Sequence, residues 1–545
     1  VMDPVTNHLQ PATMWVPRTI LFLLFVFLAS CAETKNSVPQ KKLKILGFFG
    51  HLGKSHFDVF KPLLEELARR GHDLTVVSHF PRTEKAIAAE SLPNYKDIDL
   101  RDERYGVFIN VVDLKMITDS PLRIFMELYG LHNMSSVACE VGLKHPLVKQ
   151  LATSGAKFDL VLTESFNTNC FMVVVHKFNA PVIEISTHQL MPWAIEHMGI
   201  SNEASYIPTM LTRLPRPMSF TDRVWNAITI WFLTTFYNTV YHWKDQTIAE
   251  QVYGPGIPNL KDLSRNATMM FANTHYTLHG SMLLPPNVVE VGGLHIPQKT
   301  NPLPKDIAKF LDEAREGVLY FNLGSMVKTS SMPKDKMDAL LKVFGSIPRK
   351  IIWKWETDEL PQLPPNFLVK KWLPQYDILA HPNVKCYFGH GGLLGLSEGV
   401  YRGVPMILMP FYGDQYQNSI AAQARGAAIV LKFTELNEQT LRHAVDEVFN
   451  NTRYLENARQ LSKAYRDRPA TPVETAVWWT EYVGRGNGVP YLKSEGSKMS
   501  WCKRNLVDVA AFLIAVALIV LYILYRAIKC LVFSGRKSKS HKKRD

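Results

Sequence analysis

The sequence predicts an α/β protein with two Rossmann-like domains, followed by a single membrane-spanning helix. Three observations carry this prediction: a strand–helix–strand pattern that recurs in both halves, a proline-rich break between them, and one long apolar segment near the C-terminus. Strands that alternate with helices at this spacing build parallel sheets. The composition, with 46% apolar and 20% charged residues in 545, is that of a globular protein.

The first half of the chain has the pattern of a βαβ domain. Four segments are typical of buried strands: "KLKILGFF" (42–49), "HDLTVVS" (72–78), "FDLVLTE" (158–164) and "APVIEIS" (180–186). We predict a loop over 50–58, "GHLGKSHFD", and then a helix with one apolar face that ends at Gly71. The first domain is predicted to cover residues 41–290.

The second half repeats this pattern after the break "HIPQKTNPLP" (295–304), whose three prolines indicate a linker. A strand over 317–325 enters a Gly-Ser turn, and a helix is predicted over 335–344. Five more short strands follow: "RKIIWKWE" (349–356), "NFLVKKW" (366–372), "NVKCYFG" (383–389), "VPMILMP" (404–410) and "AAIVL" (427–431). We predict a second domain over 305–485, with a closing helical region at 455–482.

The polar residues of interest share one position in these domains. Ligands of open parallel sheets bind beyond the C-terminal ends of the strands. Candidate side chains follow a predicted strand in every case: His51, His56, Glu164, Ser325, His390, Asp414 and Gln415. The alternative, that each is only a turn residue, has to explain this alignment.

The segment after the strand 383–389 predicts an anion site. A helix that begins near Gly392 aims free backbone N–H groups and a positive dipole at the crevice. Glycines let a phosphate approach the backbone, and His390 adds a hydrogen-bond donor.

Neighbouring residues suit the rest of a nucleotide-sugar. Trp372 lies where a strand becomes a loop, so its indole can stack on a flat base. Glu398, eight residues after His390, could accept both ribose hydroxyls, and Asp414 and Gln415 suit the hydroxyls of a sugar.

These motifs resemble a known family. "WLPQ", "HGG", "E", "P" and "DQ" over residues 372–415 resemble the donor signature of the UDP-glycosyltransferases, and most closely that of the membrane-bound invertebrate enzymes. The resemblance covers nearly the whole chain and implies a GT-B arrangement of the two domains, with acceptor specificity in the first half. It assigns roles to seven residues: uridine to Trp372 and Gln375, diphosphate to Ser325 and His390, ribose to Glu398, and the transferred sugar to Asp414 and Gln415.

The same resemblance points to His56, in "KSHF", as the catalytic base. A neutral imidazole there could take the proton of an acceptor hydroxyl as that oxygen attacks the anomeric carbon. His51 is the rival base. Many relatives have an aspartate where this chain has Glu164, which could orient the histidine or act only as a capping acid.

No metal or other cofactor is expected, with the UDP-sugar as co-substrate. Asp97-Ile-Asp99 matches a D-x-D metal motif only superficially, and we interpret it as a solvated loop. Cys139, Cys170, Cys386 and Cys502 have neither C-x-x-C nor metal spacing, and no disulfide is predicted.

Two apolar segments indicate a membrane protein. Residues 506–525 are twenty largely apolar residues, enough to cross a bilayer as a helix. The basic tail 526–545 places that side in the cytoplasm and holds seven of the 13 net positive charges, which argues against nucleic acid as a partner. Residues 1–32 have the pattern of a cleaved signal peptide and upstream residues. A buried core helix is the alternative for 506–525, but nothing follows that could cover it.

The tail also indicates a location within the cell. Lys542 and Lys543 resemble the dilysine signal that returns membrane proteins to the endoplasmic reticulum, although a basic membrane-surface anchor is the alternative. Three glycosylation sequons, at Asn133, Asn266 and Asn450, are compatible with a luminal body. The expected topology is single-pass type I.

The predicted function is inverting transfer of a hexose from a UDP-sugar to small lipophilic acceptors, in detoxification or inactivation of such compounds. Glucose is favoured over glucuronic acid by the resemblance. Two alternatives stay open: a luminal enzyme that glycosylates lipid or protein, and an inactive UDP-sugar-binding partner protein. The sequence leaves the acceptor unidentified and is compatible with a homo-oligomer.

Overall fold

The computed structural model describes residues 41–102, 106, 109–120, 123–201, 203–486 and 488–541. The predicted signal segment and Lys542-Lys543 lie outside these ranges. In chain order the strands are β1 Lys44–Phe49, β2 Asp73–Ser78, β3 Tyr95–Asp99, β4 Val112–Asp113, β5 Leu160–Glu164, β6 Val182–Ser186, β7 Met269–Ala272, β8 Val288–Glu290, β9 Val318–Asn322, β10 Val327–Lys328, β11 Lys350–Lys354, β12 Phe367–Lys370, β13 Val384–Gly389, β14 Met406–Leu408 and β15 Ala428–Val430.

Helices connect the strands. They are α1 Lys54–Arg69, α2 Glu84–Ala89, α3 Arg123–Lys144, α4 Pro146–Thr153, α5 Met172–Val175, α6 Pro192–His197, α7 Phe220–Phe236, α8 His242–Tyr253, α9 Leu260–Arg265, α10 Tyr276–His279, α11 Lys305–Asp312, α12 Lys334–Ser346, α13 Gln375–Leu379, α14 Leu393–Arg402, α15 Gln415–Ala424, α16 Glu438–Asn450, α17 Thr452–Arg466, α18 Pro472–Arg485, α19 Trp501–Arg504 and α20 Val507–His541. Short 3₁₀ turns and a π-helical turn at Tyr237–Tyr241 complete the described chain.

The strands form two parallel sheets, which confirms the two Rossmann-like domains. The first sheet has the order β3-β2-β1-β5-β6-β7-β8 and the second β12-β11-β9-β13-β14-β15. The strand order reverses between β1 and β5 in the first sheet and between β9 and β13 in the second. Such reversal points open a crevice at the carboxyl ends of the strands. The candidate residues that follow β1, β5, β9 and β13 therefore border these two crevices.

Each sheet is buried between helices. In the first domain, apolar residues of α1 such as Phe60 and Leu64 pack in one core with Phe49 of β1. In the second, Phe321 of β9 packs against Phe388 of β13, with ring centroids 4.9 Å apart. These central strands are apolar on both faces, as buried parallel strands are.

A two-stranded parallel sheet joins the two halves of the chain. Val112 in β4 pairs with Val327 in β10. Beside it, Asn110 N–H donates to the Ser325 carbonyl at 2.9 Å, and Leu114 N–H donates to Ser331 Oγ at 2.8 Å. The turn that carries Ser325 is thus held by backbone bonds from the other half.

The closing helix α18 packs on the first domain. Its Ala476 and Val477 belong to the same core as α1. His72 Nδ1 accepts from Leu43 N–H at 3.2 Å, which leaves Nε2–H to donate to Glu481 of α18 at 3.2 Å. The chain therefore returns to the first domain after the second is complete.

The C-terminal helix α20 contains an apolar run long enough to cross a membrane. This run covers Val507–Phe533 with a mean hydropathy of 2.8, so it extends eight residues beyond the predicted segment 506–525. Just before it, Arg504 Nη1 donates to the Glu196 carbonyl of α6 at 2.8 Å, which ties the start of this helix to the first domain.

Three local predictions were wrong or incomplete. The helix α1 begins at Lys54, inside the predicted loop 50–58, because Gly53 supplies an extended N-terminal cap. Asp97 and Asp99 lie on the edge strand β3 and not in a loop. A disulfide joins Cys139 and Cys170, whose Cα atoms are 5.9 Å apart across 31 residues of sequence. Cysteine spacing alone did not identify this pair.

Candidate active site

A histidine and a carboxylate meet at the reversal point of the first sheet. His56, in the first turn of α1, has its Nδ1 2.5 Å from Oε1 of Glu164, which ends β5. Thr187, directly after β6, places its hydroxyl 3.1 Å from the same Nδ1 and donates to Glu164 Oε1 at 3.3 Å. When Glu164 is ionised, Nδ1–H of His56 donates a hydrogen bond to it, and this tautomer leaves Nε2 of His56 as a proton acceptor.

The rival histidine has a different environment. His51 is 7% exposed, and its Nδ1 accepts from Gly53 N–H at 3.0 Å. Burial holds the pKa of His51 well below its usual value, and the nearby His56 lowers it further. The two rings stack with centroids 4.3 Å apart. His51 therefore supports the turn in front of α1 and packs against the ring of His56.

A small cavity opens beside this pair. Glu164 and His51 line it together with Phe48, Gly50, Thr163, Phe166, Asn167, Thr168 and Phe171. The ring of Phe166 lies 4.7 Å from that of His56. The cavity thus combines three phenylalanine rings with polar side chains that include the Glu164 carboxylate.

The predicted uridine and ribose residues form one hydrogen-bonded chain in the second domain. Gln375 Nε2 donates to Glu398 Oε2 at 2.7 Å, and Gln375 Oε1 accepts from Asn322 Nδ2 at 2.6 Å. Burial raises the pKa of Glu398 to about 7, an effect that the Gln375 hydrogen bond opposes. The indole of Trp372 is 66% exposed, so one aromatic surface is open to a base.

The predicted diphosphate residues lie around a tight turn at the end of β9. Gly324 has φ +86°, and a Cβ there would lie 2.6 Å from the ring of His390. Lys354 Nζ donates to the Gly324 carbonyl at 2.8 Å. Burial, and then the charge of Lys354, lowers the pKa of His390 to about 4, so the imidazole is neutral near pH 7.

The helix α14 begins directly behind His390. Gly392 is its N-terminal cap and offers no side-chain hydrogen bond to the first turn. The free N–H groups of that turn and the helix dipole favour an anion at this end. A backbone site, one neutral imidazole and one lysine are a suitable set of partners for a diphosphate.

The two residues predicted to bind the sugar, Asp414 and Gln415, have different environments. Asp414 precedes α15 and accepts from Asn418 Nδ2 at 2.7 Å. Burial raises the pKa of Asp414 to about 6, while Asn418 and the charge of His56 oppose the shift. Asn418 also accepts from Gln189 of the first domain at 3.1 Å, so Asp414 lies at the boundary between the two domains. Gln415 is 2% exposed, and its Oε1 accepts from Phe411 N–H at 2.9 Å, so this oxygen holds the loop.

Several residues of this region were not predicted from the sequence. Thr187 and Asn322 stand at the C-terminal ends of β6 and β9, so the strand-end rule could have found both. Lys54 lies with its Nζ 6.0 Å from the Trp372 ring centroid, across from the other domain. A lysine on the first turn of a helix carries no comparable sequence signal.

One group could hold a metal ion among the residues that the structure describes. His51, His56 and Glu164 each offer a ligand atom within 4.8 Å of the others. However, His51 Nδ1 accepts from a backbone N–H, and His56 Nδ1 bonds the carboxylate. A metal would have to compete with the hydrogen bond that sets the tautomer of His56. Asp97 and Asp99, in contrast, bond Arg82 N–H and the Arg101 side chain.

Solved structures with the same architecture identify the fold class of this protein. The chain aligns over 82% of its length with the glycosyltransferase of kitacinnamycin, at 18% identity and a TM-score of 0.53, and covers 99% of that chain. The calicheamicin glycosyltransferase CalG4 gives the same TM-score at 16% identity, with 82% and 99% coverage. These neighbours show the fold, which is that of the GT-B glycosyltransferases.

Proteins with similar sequences identify the family within this fold class. The family described as UDP-glucoronosyl and UDP-glucosyl transferase matches residues 51–545. UDP-glycosyltransferase UGT5 of Dactylopius coccus is 36% identical, covering 94% of this chain and 95% of the relative. UDP-glucuronosyltransferase 1A7 of Rattus norvegicus is 30% identical, covering 94% and 99%. The chain belongs to the UDP-glycosyltransferase family, whose enzymes transfer a sugar from a UDP-sugar.

The raised pKa of Glu398 predicts a pH-dependent donor affinity. An acid whose pKa is about 7 is mostly protonated below that pH and ionised above it. Since the ionised carboxylate is the better acceptor for ribose hydroxyls, UDP affinity should rise between about pH 6 and pH 8. Calorimetric titration with UDP at several pH values measures this. The uncharged Glu398→Gln variant should bind more weakly without this pH dependence, and an equally steep profile in that variant would assign the effect to another group.

Proposed function

We propose that the protein transfers a hexose, with inversion, from a UDP-sugar to a hydroxyl of small lipophilic acceptors. The observation that carries this proposal is the His56–Glu164 hydrogen bond of 2.5 Å. The ring of His188 lies 6.3 Å from that of His56, and the next residue, Gln189, donates to Asn418, which donates to Asp414. A short chain of contacts thus links the proton acceptor to the segment that we assign to the sugar.

The geometry supports a single displacement. As the acceptor oxygen forms its bond to the anomeric carbon, its proton passes to Nε2 of His56, and Glu164 stabilises the resulting imidazolium. The bond from the anomeric carbon to the UDP oxygen breaks on the opposite face, which gives inversion. The N-terminus of α14 and His390 stabilise the charge that develops on the departing diphosphate.

The donor is held along the second domain. In this proposal the uracil stacks on the exposed ring of Trp372, and Gln375 and Glu398 bind uridine and ribose. Ser325 lies on the Gly324 turn and faces the diphosphate with His390 and Gly392. Asp414 binds sugar hydroxyls, whereas the internal bond of Gln415 Oε1 leaves only its amide nitrogen for the sugar.

Glucose is the favoured sugar. UDP-glucosyltransferase 2 of Dactylopius coccus is 34% identical and covers 96% of this chain and 99% of the relative, slightly closer than the rat glucuronosyltransferase at 30%. The rings of His51 and Phe166, with centroids 4.3 and 4.7 Å from that of His56, support an acceptor with a flat apolar body, and such acceptors fit a role in detoxification. A luminal enzyme acting on lipid or protein, or an inactive binding partner, would have the same donor site. The experiments below distinguish these alternatives from the proposed function.

We also propose that the catalytic body is luminal and anchored in the endoplasmic reticulum membrane by α20. A disulfide such as Cys139–Cys170 persists in oxidising compartments, which supports a luminal position. The apolar run Val507–Phe533 supports a single span. Retrieval by Lys542 and Lys543 remains part of the same proposal.

Removing the base or its partner should affect turnover and spare nucleotide binding. His56→Ala should abolish transfer, and Glu164→Gln should slow it by about 10²–10⁴-fold, the range of an acid–base component. UDP affinity should stay the same because both residues belong to the first domain. Glu66→Gln, a carboxylate change further along α1, is the control. Substantial turnover in His56→Ala would remove this histidine from the mechanism.

Competition between donors tests the sugar assignment. Equimolar UDP-glucose and UDP-glucuronate are supplied with a phenol, and the glycosides formed are separated by mass. We expect the glucoside to dominate. A dominant glucuronide would reverse the donor assignment, and absence of both products with intact UDP binding would favour the inactive binding partner.

Shortening the chain tests the anchor. A form ending before Leu506 should be secreted and active, because α20 borders neither crevice. Carbonate washing of membranes, followed by immunoblotting, measures this. Lys542→Ser with Lys543→Ser in the full chain should instead allow glycans to become resistant to endoglycosidase. A truncated form that stays in the washed membrane would contradict the single-anchor topology.

A further inference from the structure

The segment that carries Asp414 is held from the first domain by a dense set of polar contacts. Residues 411–418 lie between β14 and the first turn of α15 in the second domain. Four of them bond residues of the first domain: Gly413, Tyr416, Gln417 and Asn418. The proposed sugar subsite is therefore built across the boundary between the domains.

Tyr416 is the centre of this arrangement. The guanidinium groups of Arg123 and Arg213 each lie 4.3 Å from its ring centroid. Arg213 Nη2 also donates to the Tyr416 hydroxyl at 2.7 Å, which in turn donates to the Phe411 carbonyl at 2.7 Å. An aromatic ring that contacts two cations, and whose hydroxyl has both a donor and an acceptor partner, is held in one orientation.

The two arginines are themselves fixed. Arg123 pairs with Glu127 one turn along α3, at 2.5 Å, and the other oxygen of Glu127 accepts from Gly413 N–H at 3.3 Å. Arg213 pairs with Asp119 at 2.5 Å. Asp119 also accepts a hydrogen bond from Thr434 of the second domain. The contacts on both sides of Tyr416 thus cross the boundary as well.

A second path leads directly to the carboxylate of Asp414. Gln189 Nε2 donates to Asn418 Oδ1 at 3.1 Å, and Asn418 Nδ2 donates to Asp414 Oδ2 at 2.7 Å. Asn418 is completely buried. His279, also of the first domain, has its Nε2 3.3 Å from the same Oδ1, and Nδ2 also donates to the Gly391 carbonyl at 3.1 Å. The amide orientation of Asn418, and with it the direction of its bond to Asp414, is therefore set by residues of both domains. Gln417 adds two bonds, to the carbonyls of Thr212 and Leu214 at 3.1 and 2.9 Å.

We infer that the first domain positions the sugar-binding acid, and that Tyr416 and Gln189 are positioning residues for sugar recognition. This inference rests on the proposed function, since it assigns Asp414 to the sugar. Neither residue needs to touch the donor. When the two domains come together around the donor, these contacts place the Asp414 carboxylate at the distance and angle that one arrangement of sugar hydroxyls requires. Misplacement by about 1 Å is enough to cost roughly 10²-fold in rate.

The test uses the full-length protein and compares two sugars that differ at one carbon. The wild type is assayed with its preferred UDP-hexose and with the C4 epimer of that donor, and the ratio of the two kcat/KM values is the readout. Tyr416→Leu and Gln189→Met should lower kcat/KM for the preferred sugar by about 10–100-fold and shrink the ratio towards one. UDP affinity should not change in Tyr416→Leu, because Tyr416 contacts Arg123, Arg213 and the Phe411 carbonyl and none of the residues assigned to the nucleotide.

Two further variants serve as matched controls. Tyr416→Phe keeps the ring between the arginines and loses only the hydroxyl, so it should retain most of the preference. Ser331→Ala removes a bond across the same domain boundary, from Leu114 N–H, far from residues 411–418 in sequence, and should leave the ratio unchanged. A merely structural defect would lower kcat/KM equally for both donors and leave their ratio unchanged.

Hydrogen–deuterium exchange separates this inference from the proposed function. Exchange of the peptide over 411–424 should accelerate in Tyr416→Leu and not in Ser331→Ala. If the peptide over 411–424 of the wild type exchanges as expected but the protein transfers no sugar, the proposed function is refuted. The inferred contacts between the domains are not refuted by that result. Active variants with unchanged ratio and unchanged exchange would overturn the inference. If Tyr416→Leu does not fold, Gln189→Met decides the question by the same ratio.

Discussion

The direction of the strands is the constraint on which the rest of the molecule depends. Every neighbouring pair in both large sheets is parallel, so all carboxyl ends of one sheet lie along one edge. At the reversal between β1 and β5 this brings His56 within 2.5 Å of Glu164, two residues separated by 108 positions in the chain. At the reversal between β9 and β13 it brings His390 against Gly324. Antiparallel pairing would have sent half of these side chains to the opposite edge.

Burial then tunes the groups that the strands bring together. It raises the pKa of Glu398 to about 7 and of Asp414 to about 6, and it lowers that of His390 to about 4. Near neutral pH Asp414 is therefore mostly ionised and His390 neutral, and Glu398 is the one of the three whose charge changes there. A binding site of this kind contacts a charged nucleotide mainly through dipoles and hydrogen bonds, while Lys354 supplies one compensating positive charge.

The sequence predicted the two parallel sheets, and it placed the candidate residues at strand ends, for one reason: both follow from local patterns. Apolar runs mark the strands, and the polar residue after each run marks the crevice, as with Glu164, Ser325 and His390. What it could not predict depends on contacts between distant segments. The inward bond of Gln415, the cysteine pair 139–170 and the arginines around Tyr416 have no local signature. The start of α1 at Lys54 was not predicted, because a glycine that caps a helix cannot be distinguished in the sequence from a glycine in a loop.

The return of α18 to the first domain has a consequence for biosynthesis. Ala476 and Val477 complete a core whose other members begin at Leu43, so the domain that is made first contains residues that are made almost last. Until those residues leave the ribosome, a strip of apolar surface on α1 has no cover. The domain that emerges second can close earlier, because its own sheet is contiguous in sequence. Ribosome stalling before residue 472 would therefore leave an incomplete first domain, with apolar surface exposed, behind a second domain whose sheet is already complete.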